Sequence, residues 1–102
     1  MKLTEAQRSS LKKQAHTLKP VIIVGNAGVT EALLAELEST IAHHELVKIK
    51  VNAGERDARD AAIDKLLKSS KAELVGRVGN IATLYRAPKK GSKRAPKISL
   101  PK

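Results

Sequence analysis

The residues in this chain with the clearest chemical consequence are Gly25-Asn26-Ala27-Gly28. They follow an apolar run and precede a segment with helical periodicity that opens Val29-Thr30-Glu31. A loop so placed lies at a helix N-terminus, where unpaired backbone N–H groups and the helix dipole attract phosphate. Glycine at both ends lets a nucleic-acid backbone approach without meeting a Cβ. KH domains clamp nucleotides with a GxxG loop of this kind. A tight strand-to-helix turn also wants glycine, so the four residues admit a purely structural reading. Two other phosphate motifs are excluded. A P-loop needs Lys-Ser/Thr directly after its last glycine, where this chain has Val29-Thr30. A dinucleotide fingerprint needs three spaced glycines, and only two are present.

Other candidates resolve into ordinary surface or core. His43-His44-Glu45 lies where a helix should end, and adjacent helical residues point about 100° apart, so no third strong ligand joins the two histidines. They read as helix-end residues favoured by the dipole, and no metal site is expected. Asp57, Asp60 and Asp64 fall on successive helical turns but are interleaved with Arg56, Arg59, Lys65 and Lys68, the pattern of a solvated, ion-paired face. Tyr85 is the only aromatic residue, which excludes the multi-aromatic platforms of RRM and OB-type domains. No residues combine into an acid–base or nucleophilic constellation, so the chain is read as non-catalytic and without a cofactor.

The elements that must position the loop can be read in order. Thr4 with Gln7 forms a capping box, Leu11, Ala15 and Leu18 recur at helical spacing, and Lys19-Pro20 ends the helix. Val21-Ile22-Ile23-Val24 is a β-branched run expected to be buried on both faces, as a central strand would be. A second helix is capped by Thr30 and presents Val29, Leu33, Leu34, Leu37 and Ile41. Val47, Ile49 and Val51 then alternate with Lys48 and Lys50, a strand with one wet face. A third helix over Arg56–Ser70 turns Ala62, Ile63, Leu66 and Leu67 inward and allows the pairs Glu55–Arg59, Arg56–Asp60 and Asp64–Lys68. Strands at 72–78 and 81–86 meet at Gly79-Asn80, a two-residue hairpin turn. The order α-β-α-β-α-β-β predicts a single compact α/β domain over residues 1–86 with a four-stranded mixed sheet. Residues 87–102 hold Pro88, Pro96 and Pro101 among many lysines and are expected to form a flexible basic tail.

Composition narrows the function. The chain's 102 residues carry 20 Lys+Arg against 10 Asp+Glu, a net charge of +10. The bias is segregated: residues 1–19 carry a net +4, 30–45 a net −4, 46–86 a net +4, and the tail six basic side chains with no acid. Such a field attracts polyanions and holds them by counterion release. No helix sets large apolar residues opposite a lysine-rich face, so a membrane surface is not the expected partner. With no cysteine there is neither a disulfide framework nor a thiolate metal site. The Val21–Val24 run is too short to cross a bilayer or drive export, and a cytoplasmic monomer is expected.

Together, His16-Thr17-Leu18-Lys19-Pro20, Val24-Gly25-Asn26-Ala27-Gly28 with Thr30, His44-Glu45-Leu46-Val47-Lys48 with Lys50, and Leu84-Tyr85-Arg86 resemble the CRM domain (chloroplast RNA splicing and ribosome maturation) in its bacterial single-domain YhbY-type form. The similarity spans about residues 3–86. It implies a fold related to the C-terminal domain of the third bacterial initiation factor. It also implies RNA binding through the GxxG loop and nearby basic residues, with precursors of the large ribosomal subunit as the associated particle. Splicing-type copies often carry a basic residue inside the loop, where this chain has neutral Asn26 and Ala27. Lys12, Lys13, Lys19, Lys48, Lys50 and Arg56 are therefore expected to supply the phosphate-neutralising charge. Two alternatives stand beside this reading: a translation or mRNA regulator on the mature ribosome, and a protein-interaction module docking through Glu31, Glu36 and Glu38 of the second helix.

Overall fold

The computed structural model describes residues 3–25, 27–52 and 54–87. Asn26 and the basic segment 88–102 lie outside the described residues. Among the described residues three helices, α1 (Glu5–Ala15), α2 (Glu31–His44) and α3 (Arg56–Ser70), alternate with β1 (Ile22–Val24) and β2 (Leu46–Val51), and the hairpin β3 (Glu73–Val78) and β4 (Ile81–Tyr85) closes the order. The helix starts follow local chemistry. In α1 the Gln7 N–H donates to Thr4 Oγ1 at 3.1 Å and the Thr4 N–H donates to Gln7 Oε1 at 3.0 Å, completing the capping box. In α2 the Leu33 N–H donates to Thr30 Oγ1 at 3.1 Å.

The sheet is mixed, in the order β1-β2-β4-β3, with β1 and β2 parallel and the other pairs antiparallel. One face holds the main core. Ile22, Val24, Val47, Ile49, Val51, Ala82 and Leu84 pack there beneath Leu37 and Ile41 of α2 and Ala62, Ile63 and Leu66 of α3. Burying each of the larger aliphatic side chains contributes about 1.5–3 kcal/mol. A smaller cluster on the other face joins Leu3, Leu11 and Ala15 to Leu46, Val75 and Tyr85. Tyr85 is thus a core residue, and burial together with the Glu45 carboxylate pushes its phenol pKa up. At the edge of β3 the Arg8 guanidinium donates to the carbonyls of Leu74 and Val75, beside a register shift between Leu74 and Gly76.

Two expectations are corrected. The run Val21–Val24 does not form a central strand buried on both faces. β1 lies at the sheet edge, and Val21 and Ile23 are 50% and 59% exposed while Ile22 and Val24 are buried. The cause is the position of α1, which packs over Leu46, Val75 and Tyr85 and leaves the second face of β1 uncovered. The first helix also ends earlier than Lys19-Pro20. It stops at Ala15 with His16 as C-cap, and Leu18 falls outside it, 38% exposed.

The edge position of β1 gives unequal costs to neighbouring substitutions. Ile22→Thr should destabilise the domain by about 2–4 kcal/mol through lost packing and a buried hydroxyl. Ile23→Thr should stay within about 0.5 kcal/mol of wild type. Urea denaturation of both variants measures the difference; equal losses would restore the central-strand reading.

Candidate nucleic-acid interface

Strand directions bring several loops to one end of the sheet. Because β1 and β2 run parallel, their C-terminal ends lie side by side, with the GxxG loop leaving one and Asn52 the other. The antiparallel pairing of Lys50 with Ile81 sets the Gly79-Asn80 turn at the same end. Hydrogen bonds tie the three together. The Asn52 N–H donates to the Val24 carbonyl at 2.8 Å, the Val51 N–H to the Asn80 carbonyl at 2.7 Å, and Asn80 Nδ2 to Asn52 Oδ1 at 2.9 Å. The first turns of α2 and α3 start from this end too.

Within the loop, the Gly28 N–H donates to the Gly25 carbonyl at 3.0 Å, and Gly28 has φ +74°, a conformation costly for a side chain. Gly25 needs no such explanation. A Cβ on either glycine would meet no atom within 4 Å beyond its chain neighbours, so the approach to the backbone is open. On the helix side Lys65 Nζ lies 3.5 Å from the Val29 carbonyl, adding a cation beside the start of α2.

Next to the loops, Arg56, Arg59, Arg77 and Gly79 line an open hollow of about 350 Å³. Arg59 Nε is buried with no hydrogen-bond partner among the described residues. Arg77 is paired with Asp60. The hydrogen bond from Arg77 holds the Asp60 carboxyl below its ordinary pKa, and the charges of Arg77, Arg56 and Arg59 add to this against a smaller effect of burial. Guanidinium groups present planar forks of donors that match phosphate oxygens, so three at one rim form an anion-receptive surface.

The candidate residues from sequence separate into groups. Gly25, Ala27 and Gly28 stand at the loop end, and Arg56 joins the arginine hollow. Lys48 and Lys50 alternate with buried Val47, Ile49 and Val51, and so project to the α1 side of the sheet. Lys12 lies across Gly76 on that same side. Lys13 and Lys19 are exposed, on α1 and on the segment before β1. Sequence reasoning missed Arg59 and Arg77. Asp60 was matched there with Arg56 one helical turn away, whereas the fold gives it Arg77 from β3; Asp64–Lys68 does close, at 2.9 Å. The faint available signal was Arg77 on the strand entering the Gly79-Asn80 turn. Among the described residues no group of three or more His, Cys, Asp or Glu could hold a metal, and no helix is long and apolar enough to cross a membrane.

The model of the CRS1/YhbY (CRM) domain matches residues 3–86, nearly the whole chain. The chain belongs to the CRM domain family. A probable RNA-binding protein of Pseudomonas aeruginosa is 43% identical over 99 residues, covering 97% of this chain and 95% of that protein. A probable RNA-binding protein of Bacillus subtilis is 35% identical over 100 residues, covering 97% and 99%. The solution structure of a hypothetical protein from Staphylococcus aureus superposes with a TM-score of 0.78 at 27% identity, covering 98% of this chain and all of that one. The two chains therefore share one fold.

Within this CRM domain the Arg77–Asp60 pair has a direct electrostatic test. Because the folded-state pKa of Asp60 is lowered, the pair contributes above the ordinary carboxylate range and is lost as pH falls through the lowered value. In Arg77→Ala, the Asp60 titration followed by carboxyl-detected NMR should move up toward the usual aspartate range. An unmoved titration would show that Arg77 is not the source of the shift.

Proposed function

We propose that this CRM domain is a non-catalytic RNA-binding protein that engages ribosomal RNA of the precursor large subunit and assists its assembly, as a monomer in the cytoplasm. The observation that carries the reading is the open backbone at Gly25 and Gly28, at an end of the sheet where Asn52 bonds to the Val24 carbonyl and Asn80 bonds to Val51 and Asn52, beside a rim of three arginines. A phosphodiester backbone approaches Gly25 and Gly28 without steric obstruction, and the start of α2 favours its negative charge. Arg56, Arg59 and Arg77 neutralise neighbouring phosphates along the same end. The names of the Pseudomonas and Bacillus relatives support RNA as the ligand. The resemblance in the opening motifs to single-domain bacterial CRM proteins supports the large-subunit precursor as its source.

The rival docking surface on α2 gains less from the structure. Glu38 is already paired with Arg86, whose guanidinium also donates to the Ser70 carbonyl at 2.9 Å. Part of the acidic face is thereby neutralised from within the domain.

The test is sedimentation of tagged protein from cell lysate through a sucrose gradient, with each fraction probed for immature large-subunit RNA. Co-migration with the immature large subunit, abolished by high salt or ribonuclease, is the expected result. Protein found only on mature ribosomes, or free at the top, would contradict the assembly role.

A further inference from the structure

The half of the sheet that α1 leaves open has a pattern that phosphate contacts do not explain. Strand register places Ile23 beside Lys50, Lys50 opposite Ile81 and Ile81 opposite Val78. These four residues form one row across all four strands, on the face away from α2 and α3. Val78 is 83% exposed, and Val21, two residues before Ile23 on the same side, adds a further exposed apolar group. Behind this row runs a second, Lys48–Thr83–Gly76. There the Lys12 side chain lies over Gly76, its Cε 3.0 Å from where a Cβ would stand. The surface therefore sets aliphatic groups between ammonium groups, with α1 behind the second row.

We propose that this open sheet face is the contact surface for unpaired nucleobases, with Ile23, Ile81 and Val78 beneath the bases and Lys12, Lys48 and Lys50 on the phosphates between them. The proposal rests on the RNA-binding reading and deepens it by naming single-stranded RNA as the class of ligand. Exposed large apolar side chains grouped at one place mark an interaction surface. The charge of the chain, +10, together with Lys50 in the row and Lys48 and Lys12 behind it, disfavours a second copy and selects a polyanion. Among polyanions, an unpaired strand offers apolar base faces as well as phosphates, whereas a duplex hides its base faces in the stack. Three inter-strand spacings span about 14 Å, and an RRM sheet of four strands holds two or three bases. Here aliphatic side chains take the place of the aromatics, since the one tyrosine is buried. The face is continuous with the loop end: Ile23 is two residues from Gly25, and Val78 adjoins Gly79.

Fluorescence anisotropy with an unpaired oligoribonucleotide and a closed RNA hairpin of equal length tests this. Both residues are exposed, so the double variant Ile23→Ser/Val78→Ser should keep the wild-type circular dichroism spectrum. Wild type should prefer the unpaired strand. The variant should lose about tenfold on it, keep its hairpin affinity, and keep a slope of log K against log salt of about −3 to −4, as for about five phosphates. Lys48→Ala/Lys50→Ala should instead flatten that slope by about 1.4. Wild-type affinity in the serine variant, or equal wild-type binding of strand and hairpin, overturns the sheet-face proposal while leaving RNA binding in place. Loss of particle co-sedimentation with unchanged RNA affinity overturns it in favour of a protein contact. Failure of the wild type to bind either RNA overturns the RNA reading itself, and the proposal with it.

Discussion

Parallel pairing of β1 with β2 is the constraint from which the rest of the architecture follows. A parallel pair cannot be joined by a hairpin, so the chain must leave β1, return along a helix and re-enter β2 from the starting end. That route fixes the GxxG loop between a strand C-terminus and a helix N-terminus. The same pairing sets Asn52 beside the loop, and the Asn52 N–H to Val24 carbonyl bond at 2.8 Å locks the two exits together. Antiparallel β4 then brings Asn80 to the same end, where its side chain closes on Asn52 at 2.9 Å. The residues that flank the loop in space, Asn52 and Asn80, are thus fixed to one another and to β1 and β2 by hydrogen bonds at one end of the sheet.

Charge is arranged around this frame in two ways. At the loop end it comes as guanidinium groups, of which Arg77 is oriented by Asp60. On the open sheet face it comes as ammonium groups on flexible stems. Guanidinium forks fix phosphate oxygens in a plane, while ammonium groups act as adaptable point charges. On the other side of the sheet α2 carries Glu31, Glu36 and Glu38 with no Lys or Arg, and Arg86 takes up Glu38.

The parts legible in sequence were those decided within a few residues. Thr4 with Gln7, Thr30, and Gly79-Asn80 act through local hydrogen bonds and backbone preferences, and they stand where the pattern placed them. The alternation of β2 was legible because it records one covered face. The edge position of β1 was not, since a β-branched run does not say where a helix eleven residues long will land on the sheet. For the same reason the sequence offered Arg56, but not Arg59 or Arg77, as a phosphate contact. Their grouping depends on α3 and β3 meeting across a separation of 17 residues between Asp60 and Arg77. Charge pairing one helical turn apart was the nearer reading of those residues, and tertiary packing overrode it.

The central claim is that RNA contacts the loop end of the sheet. Its most direct measurement is an amide chemical-shift map of the full chain titrated with an RNA fragment from the large subunit. The strongest perturbations are expected at Gly25, Gly28, Asn52, Gly79 and Asn80, with Glu36, Glu38 and the C-terminal turn of α2 little changed. Perturbations centred on the exposed face of α2, with the loop end silent, would contradict it.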